Sequence, residues 1–222
     1  MTWEAFWPPV LLSLQVALLA SPIAAVSGVA AARWMSRRSF RGSTLLETAL
    51  MLPLVLPPTV VGFLLLVALG RRSWLGQLAE WVFSAPVLFS PWAAVIASVV
   101  VAFPLVYQTM KVAFDGVDRE LEESARSAGA SEWAVFRYIA LPLVLRAVMT
   151  AYILGFARSL GEFGATLMIA GNIPGRTQTI PTAIYVAVDA GSMDMAWAWT
   201  IGMVVISFVL LLATGGLRRR KH

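Results

Sequence analysis

Apolar residues in this chain form long runs separated by short charged segments. Hydrophobic residues make up 59% of the 222 residues, and charged residues make up 13%. A run of about 20 apolar residues can cross the hydrocarbon core of a bilayer as a helix. The runs predict five membrane spans, at Pro9–Ala32, Thr44–Leu69, Pro91–Val112, Tyr138–Leu160 and Met195–Thr214. We therefore expect an all-α, polytopic membrane protein with a single membrane domain over residues 1–222.

The first span is expected to be retained in the membrane. A secretory signal peptide has basic residues before its apolar run. Here the segment Met1–Trp7 contains Glu4 and no basic residue, and the positive charges follow the run instead.

The composition excludes several kinds of chemistry. The chain contains no cysteine, and its one histidine is His222. Disulfides, thiolate metal sites and cysteine nucleophiles are thereby excluded, and histidine catalysis is not expected. We predict no catalytic residue and no metal site. The net charge of +5 is better explained by basic cytoplasmic loops than by nucleic-acid binding.

Basic residues are concentrated on one side of the predicted spans. The opposite side carries only Arg71, Arg72 and Arg176. The positive-inside rule therefore places the N-terminus outside and the C-terminus inside. The basic set comprises Arg33, Arg37, Arg38 and Arg41 near the first span, Lys111, Arg119, Arg126 and Arg137 near the third, and Arg218, Arg219, Arg220 and Lys221 in the tail.

Small residues recur at every fourth position in the first and fourth spans. Such faces let helix backbones approach closely in lipid. They predict a specified packing seam, which could lie between subunits; ordinary alanine-rich composition is the alternative. The two sets are Ala20, Ala24, Gly28 and Ala32, and Ala147, Ala151, Gly155 and Ser159.

Three prolines, Pro53, Pro57 and Pro58, interrupt the second span. Each proline removes a backbone donor and clashes with the preceding turn. A broken helix beside a transport pathway is one interpretation, because freed carbonyl groups must find partners or face water. A merely kinked helix is the other.

The only long polar segment on the inner side, residues 115–137, predicts a helix, a glycine turn and a second helix. Asp118 is placed to cap the first helix, Gly129 to end it in the left-handed conformation, and Ser131 to cap the second. A short helix with acids on one face and small residues on the other suits docking into a groove of a partner. A solvated connecting loop is the alternative.

Within this segment, Glu123-Ser124-Ala125, Gly129 and Ile139-Ala140-Leu141-Pro142 resemble the EAA loop of ABC importer permeases. The one departure is Ser124, where alanine is usual. The resemblance implies a type I ABC importer permease fold and a loop that grips a separate ATPase. The ATPase-coupling residues it implies are Glu123, Ser124, Ala125, Ala128, Gly129, Ile139, Leu141 and Pro142.

Three further stretches, residues 52–60, 155–166 and 171–181, are similar to the ModB-type molybdate permeases. The likeness covers nearly the whole chain. It implies the permease subunit of an ATP-driven importer that translocates molybdate, and also tungstate, by alternating access. A sulfate permease is the alternative, because that branch shares the loop and the Gly-Glu-aromatic-Gly neighbourhood. An intramembrane enzyme is a more remote one.

The same resemblance implies the partners. They are a second copy of the permease, a pair of cytoplasmic ATP-binding subunits, an extracytoplasmic oxyanion-binding protein and membrane lipid, with no nucleic acid. The sequence has no G-x-x-x-x-G-K-S/T motif, so ATP and Mg²⁺ are expected on the partner ATPase and no cofactor on this chain. The expected location is the bacterial or archaeal cytoplasmic (inner) membrane.

Arg158 and Glu162 stand four residues apart near the outer end of the fourth span and can pair on one helix face. Charge inside a membrane is a functional hypothesis. We interpret Arg158, Gly161, Glu162, Gly164 and Thr166 as candidates for a gate or anion path, with a structural ion pair as the alternative. Neutral donors nearby could serve an oxyanion or form a polar external loop; they are Thr166, Asn172, Thr177, Gln178 and Thr179.

Overall fold

The computed structural model describes residues 3–38, 40–83 and 85–219, and these residues contain no strand. The basic tail residues Arg220 and Lys221, and His222, lie outside the described residues. The helices are α1 (Trp3–Arg37), α2 (Ser43–Val55), α3 (Pro58–Ala68), α4 (Trp74–Phe83), α5 (Pro91–Asp115), α6 (Arg119–Ser127), α7 (Glu132–Val135), a π-helical turn (Phe136–Ala140), α8 (Leu141–Leu160), α9 (Gly164–Ala170), α10 (Ile180–Asp189) and α11 (Met193–Arg219).

Four stretches of the described chain are long and apolar enough to cross a membrane: Glu4–Arg37, Pro91–Asp115, Glu132–Leu160 and Met193–Leu212. The helices α2 and α3 meet the same test only as a pair, and they bend by 114° where they join. Counting that pair as one span gives the five spans that the sequence predicts.

The bend occurs at Leu56 and Pro57, so the predicted span Thr44–Leu69 is a broken helix. Leu56 is extended, with φ −68° and ψ 142°, as expected of a residue that precedes proline. Pro57 and Pro58 lack the amide hydrogens that would continue α2, while Pro58 suits the first position of α3. The structure therefore confirms a broken helix rather than a kinked one, while a transport pathway beside it stays a prediction.

Helix α5 lies at the centre of the bundle, with α1 and α8 packed on it. Its side chains contribute to two apolar clusters, one toward the start of α5 with α3 and α9, and one toward its end with α2 and α8. Ser98, Val101 and Val106 are essentially inaccessible to solvent. The core therefore runs along α5 from one end of the bundle to the other.

The small-residue faces of α1 and α8 both pack on α5 of the same chain. A Cβ on Gly28 would lie 2.7 Å from Val106 Cγ1, and a Cβ on Gly155 would lie 2.9 Å from Val106 Cγ2. Ala20, Ala24 and Ala32 are fully buried. The predicted seam exists, but its placement between subunits is wrong, because α5 covers these faces.

The segment after α8 folds back into the bundle. Helix α9 packs on α3, where a Cβ on Gly62 would lie 2.8 Å from Ala165 Cα. Thr166, Thr177 and Thr179 are each less than 5% exposed. The interpretation as a polar external loop is therefore wrong for Thr166, which lies on α9. Residues 171–179 do form a loop, with residues 173–176 exposed, and Thr177 Oγ1 accepts a hydrogen bond from the Ile173 amide at 2.9 Å.

Candidate coupling site and translocation path

The polar segment between α5 and α8 forms the predicted helix, turn and helix. Asp118 Oδ1 accepts a hydrogen bond from the Glu120 amide at 2.9 Å, and Ser131 Oγ accepts one from the Ala134 amide at 3.2 Å. Gly129 has φ +88°, and the following amide, that of Ala130, donates to Ala125 O at 3.0 Å. This is the glycine C-cap that ends a helix in the left-handed conformation. All three local predictions are confirmed.

Helix α6 and the turn after it expose most of the implied coupling residues in this segment. Glu123, Ser124, Ala128 and Gly129 are exposed, and Ala125 is half-buried. Open space surrounds Gly129, because no atom of the described residues, its chain neighbours aside, would lie within 4 Å of a Cβ placed there. This surface is therefore available for a partner.

The remaining motif residues lie where the segment joins the bundle. Ile139 belongs to the π-helical turn and is half-buried, Leu141 begins α8, and Pro142 occupies its first turn, where a missing amide hydrogen is tolerated. The motif thus spans one continuous connection from the exposed helix to a membrane-crossing helix.

The opposite face of α6 carries a residue that the sequence reasoning missed, Glu122, which is 0% exposed. Arg33 binds its carboxylate with both terminal nitrogens, Nη1 to Oε1 at 2.8 Å and Nη2 to Oε2 at 3.3 Å. Arg37 Nη2 also donates to Oε1, and Arg126 Nη2 donates to Oε2 at 3.2 Å. Two of these three arginines stand at the end of α1. We call Glu122, Arg33, Arg37 and Arg126 the arginine clamp.

The charges around Glu122 keep it ionised. Burial by itself raises the pKa of this carboxyl, but the hydrogen bonds and charge of Arg33 and the charges of Arg37 and Arg126 outweigh burial, so the pKa is lowered. Arg126 also bonds Glu132 on α7, with Nε and Oε1 2.5 Å apart, and this bond lowers the pKa of Glu132. The clamp thus joins α1, α6 and α7 in one charged network.

Aromatic rings complete the junction. The Arg33 guanidinium carbon lies 5.7 Å from the centre of the Phe114 ring and 5.8 Å from that of Phe136. Guanidinium groups are attracted to aromatic rings at such distances. Arg33 therefore touches the end of α5 and the π-helical turn as well as Glu122. In the sequence, Arg33 and Arg37 stand one helical turn apart, which is a sign of a basic site. Nothing in the sequence indicated that their partner is Glu122.

Near the outer end of α8, Arg158 and Glu162 form the predicted ion pair, with Nη1 and Oε2 2.8 Å apart. The Glu162 side chain is 1% exposed and that of Arg158 is 30% exposed. The second carboxylate oxygen accepts a hydrogen bond from the Ala165 amide at 2.9 Å, so Glu162 also caps the start of α9.

The other path candidates surround this pair. Gly161 is exposed at the end of α8, and Thr166 is buried on α9. A Cβ on Gly164 would lie 3.0 Å from Pro58 Cβ, directly beside the break between α2 and α3. An outer cavity of about 550 Å³ lies elsewhere, lined by Arg71, Trp92 and Arg176 among others, and does not include Arg158, Glu162 or Thr166. No group of three metal-ligating side chains occurs in the described part of the chain.

Comparison with known protein families identifies the family of this chain. Residues 24–222 match the family described as "Binding-protein-dependent transport system inner membrane component". The chain belongs to this family. It is a multi-pass membrane component of a transport system rather than an enzyme, and the family is described as dependent on a binding protein.

Relatives with high sequence identity carry molybdenum-related names. The chain is 57% identical to the "Putative molybdenum transport system permease protein YvgM" of Bacillus subtilis (strain 168), over 93% of this chain and 91% of the relative. It is 44% identical to the "Molybdenum transport system permease protein ModB" of Escherichia coli (strain K12), over 96% and 93%. The identity falls to 33%, over 96% and 75%, for the "Probable sulfate transport system permease protein cysT" of Chlorokybus atmophyticus.

Solved structures share the fold. The chain resembles the MetNI methionine ABC transporter in an inward-facing conformation, with a TM-score of 0.72, 13% identity and 98% coverage of both chains. It also resembles a bacterial ABC transporter for the import of alginate, with a TM-score of 0.70, 18% identity and coverage of 98% and 79%. At these identities the likeness concerns the fold, which is that of ABC importer permeases.

Proposed function

We propose that this chain is the permease subunit of an ATP-driven importer for molybdate, and for tungstate as well. The observation that carries the proposal is the 57% and 44% identity to molybdenum transport permeases over more than nine-tenths of the chain. Sulfate is the second candidate cargo, supported by the 33% identity to a sulfate permease.

The working assembly in this proposal has two copies of the permease, two ATPase subunits and one extracytoplasmic binding protein in the cytoplasmic membrane. ATP and Mg²⁺ bind the ATPase, because this sequence has no P-loop motif. The arginine clamp supports the orientation with the C-terminus inside, since it brings the basic end of α1 to the basic segment around α6, and both belong on the cytoplasmic side.

The exposed face of α6 is the proposed contact with the ATPase. Glu123 offers a charge, while Ser124, Ala128 and Gly129 are small enough for close backbone approach. Ile139, Leu141 and Pro142 join this contact to α8. Closure of the ATPase dimer around ATP would move α6 and shift the permease between two conformations, driven by the different affinity of ATP for each.

The proposed path runs beside the break between α2 and α3. A dianion cannot cross hydrocarbon unaided, so its path must be polar or hydrated. In this conformation Glu162 neutralises Arg158, so the pair presents little attraction for an oxyanion. We propose that Gly161 and Gly164 allow α8 and α9 to separate there, freeing Arg158 for the cargo while Thr166 supplies a neutral donor.

The test is uptake of labelled molybdate into proteoliposomes that contain this chain, its ATPase and its binding protein, with excess tungstate or sulfate as competitor. We expect ATP-dependent uptake that tungstate blocks and sulfate does not. Uptake that sulfate abolishes would assign the chain to sulfate import. Absence of ATP-dependent uptake of all three oxyanions would refute the proposal.

A further inference from the structure

We propose that α1 and the coupling helix α6 move as one rigid unit, locked together by Glu122, so that ATP-driven motion enters the membrane domain through α1 as well as through α8. Glu122 is a positioning residue in this scheme. The inference rests on the proposed function, in which α6 docks onto an ATPase.

The first argument is how α6 is attached. Glu122 is the one fully buried residue among those of α6, and every partner of its carboxylate within the described residues is an arginine. None of the residues of α6 has a buried apolar side chain that could anchor the helix. The attachment is therefore directional and charge-assisted, and such bonds hold one geometry more strictly than apolar packing does.

The second argument is that the attachment cannot open at low cost. Separating α6 from α1 would leave the Glu122 carboxylate with Arg126 but without Arg33 and Arg37, and the loss of buried charge partners is strongly unfavourable. Arg33 is additionally held against Phe114 and Phe136. A displacement of α6 is thus more readily accommodated by moving α1 than by breaking the clamp.

The third argument is where α1 leads. The helix runs from Trp3 to Arg37 as one element, with Pro22 inside it, and packs through its small-residue face on α5, as Gly28 and Val106 show. Near the middle of the same helix, Val16 and Ala20 belong to the apolar cluster that contains Val61 of α3 and Ile169 of α9. Motion applied at Arg33 and Arg37 therefore reaches the helices beside the broken span.

Distance measurements between spin labels test the rigid unit directly, and the absence of native cysteine makes specific labelling simple. Ala30 on α1 and Ser127 at the end of α6 are exposed, and both are replaced by cysteine. The labelled chain is assembled with excess unlabelled chain and the ATPase. We expect one narrow Ala30–Ser127 distance that is the same without nucleotide and with ATP. A distance that changes with nucleotide in this otherwise unaltered chain overturns the inference.

Substitution of the clamp supplies the second test. Glu122→Gln should broaden the Ala30–Ser127 distance in either state. It should also reduce oxyanion uptake per ATP hydrolysed by roughly fivefold, the scale of a coupling change, while ATPase still co-purifies. The matched control is Glu120→Gln, which removes an exposed carboxylate from the same helix and should leave both readouts unchanged. If Glu122→Gln does not assemble, Arg33→Lys keeps the charge and loses the two-point contact, and we expect a smaller change in the same direction.

A third measurement separates failure of this inference from failure of the proposed function. With the Ser127→Cys label alone, the distance between the two copies should shorten when ATP binds. If it stays constant, ATP does not move α6 and the proposed function fails. If it shortens while the Ala30–Ser127 distance also changes, the function stands and the rigid unit is refuted.

Discussion

Gly28 on α1 and Val106 on α5 approach so closely that a Cβ on Gly28 would lie 2.7 Å from Val106 Cγ1. We therefore expect Gly28→Ala to destabilise the purified protein by about 1–3 kcal/mol, as over-packing of a tight interface does. Thermal unfolding in detergent measures this. The matched control is Gly202→Ala on α11, where the nearest atom, the tip of the Phe6 ring, lies 3.9 Å away.

Shortening Val106 should relieve that contact. The double variant with Gly28→Ala and Val106→Ala should be more stable than the sum of the two single changes predicts, because the crowded methyl group is absent. If the losses of stability in the two single variants simply add in the double variant, the close packing between α1 and α5 is contradicted.

Substitutions at Gly129 can separate the effect of turn geometry from the effect of contact with a partner. Its φ of +88° penalises side chains, but the chain leaves the space around it open. Gly129→Asn should tolerate the left-handed conformation better than Gly129→Ala, which should cost about 1 kcal/mol. Gly129→Ile should abolish co-purification of the ATPase while the permease still inserts into the membrane.

The control for Gly129 is Gly175, which has φ +72° and is also surrounded by open space. Gly175→Ile carries the same backbone strain outside the coupling segment and should leave ATPase co-purification unchanged. If both variants lose the ATPase equally, the effect arises from strain and not from docking.

The local geometry of the coupling segment could be predicted because its determinants are neighbours in the sequence. Asp118, Gly129 and Ser131 each act on backbone groups only a few residues away, and Arg158 reaches Glu162 across one helical turn. The arginine clamp could not be predicted in this way, since Arg33 and Arg37 are 89 and 85 positions from Glu122. Likewise, the small-residue faces predicted close helix packing, but nothing in them indicated that α5 is the helix that packs there.

Acid should release α6 from α1. The lowered pKa of Glu122 means that the clamp contributes its full stability above about pH 4.3, the value of an unfolded glutamate, and loses it as the pH falls through the lower folded value. A spin label at Ser127→Cys should be immobile from neutral pH down to about pH 4.3 and gain mobility only in more acidic solution.

In the Glu122→Gln background this acid-induced step should disappear, because the neutral amide has no proton to gain. A step of equal size in that background would assign the transition to other groups, of which Glu132, with its own lowered pKa, is the first to examine.

Glu162 combines two bonds that substitution can separate. Glu162→Gln keeps an oxygen that can accept from the Ala165 amide but removes the charge paired with Arg158, whereas Glu162→Ala removes both. We expect the alanine variant to be less stable than the glutamine variant by about 1 kcal/mol, the worth of a helix cap. Equal melting temperatures would contradict the capping role.

Transport by the glutamine variant tests the path. If Arg158 must be freed for the cargo, Glu162→Gln should change the rate of oxyanion uptake clearly, while the melting temperature changes little. Unaltered uptake would mean that the pair serves the structure of α8 and α9 alone.

The arginine clamp also sets the smallest piece of this permease that can be exchanged between importers. A chimera that receives only residues 115–137 acquires a carboxylate at position 122 whose arginine partners on α1 remain behind in the donor. The graft is expected to work when the residues equivalent to Arg33 and Arg37 travel with it, so re-pairing such a permease with a foreign ATPase means transplanting two segments that are far apart in the gene.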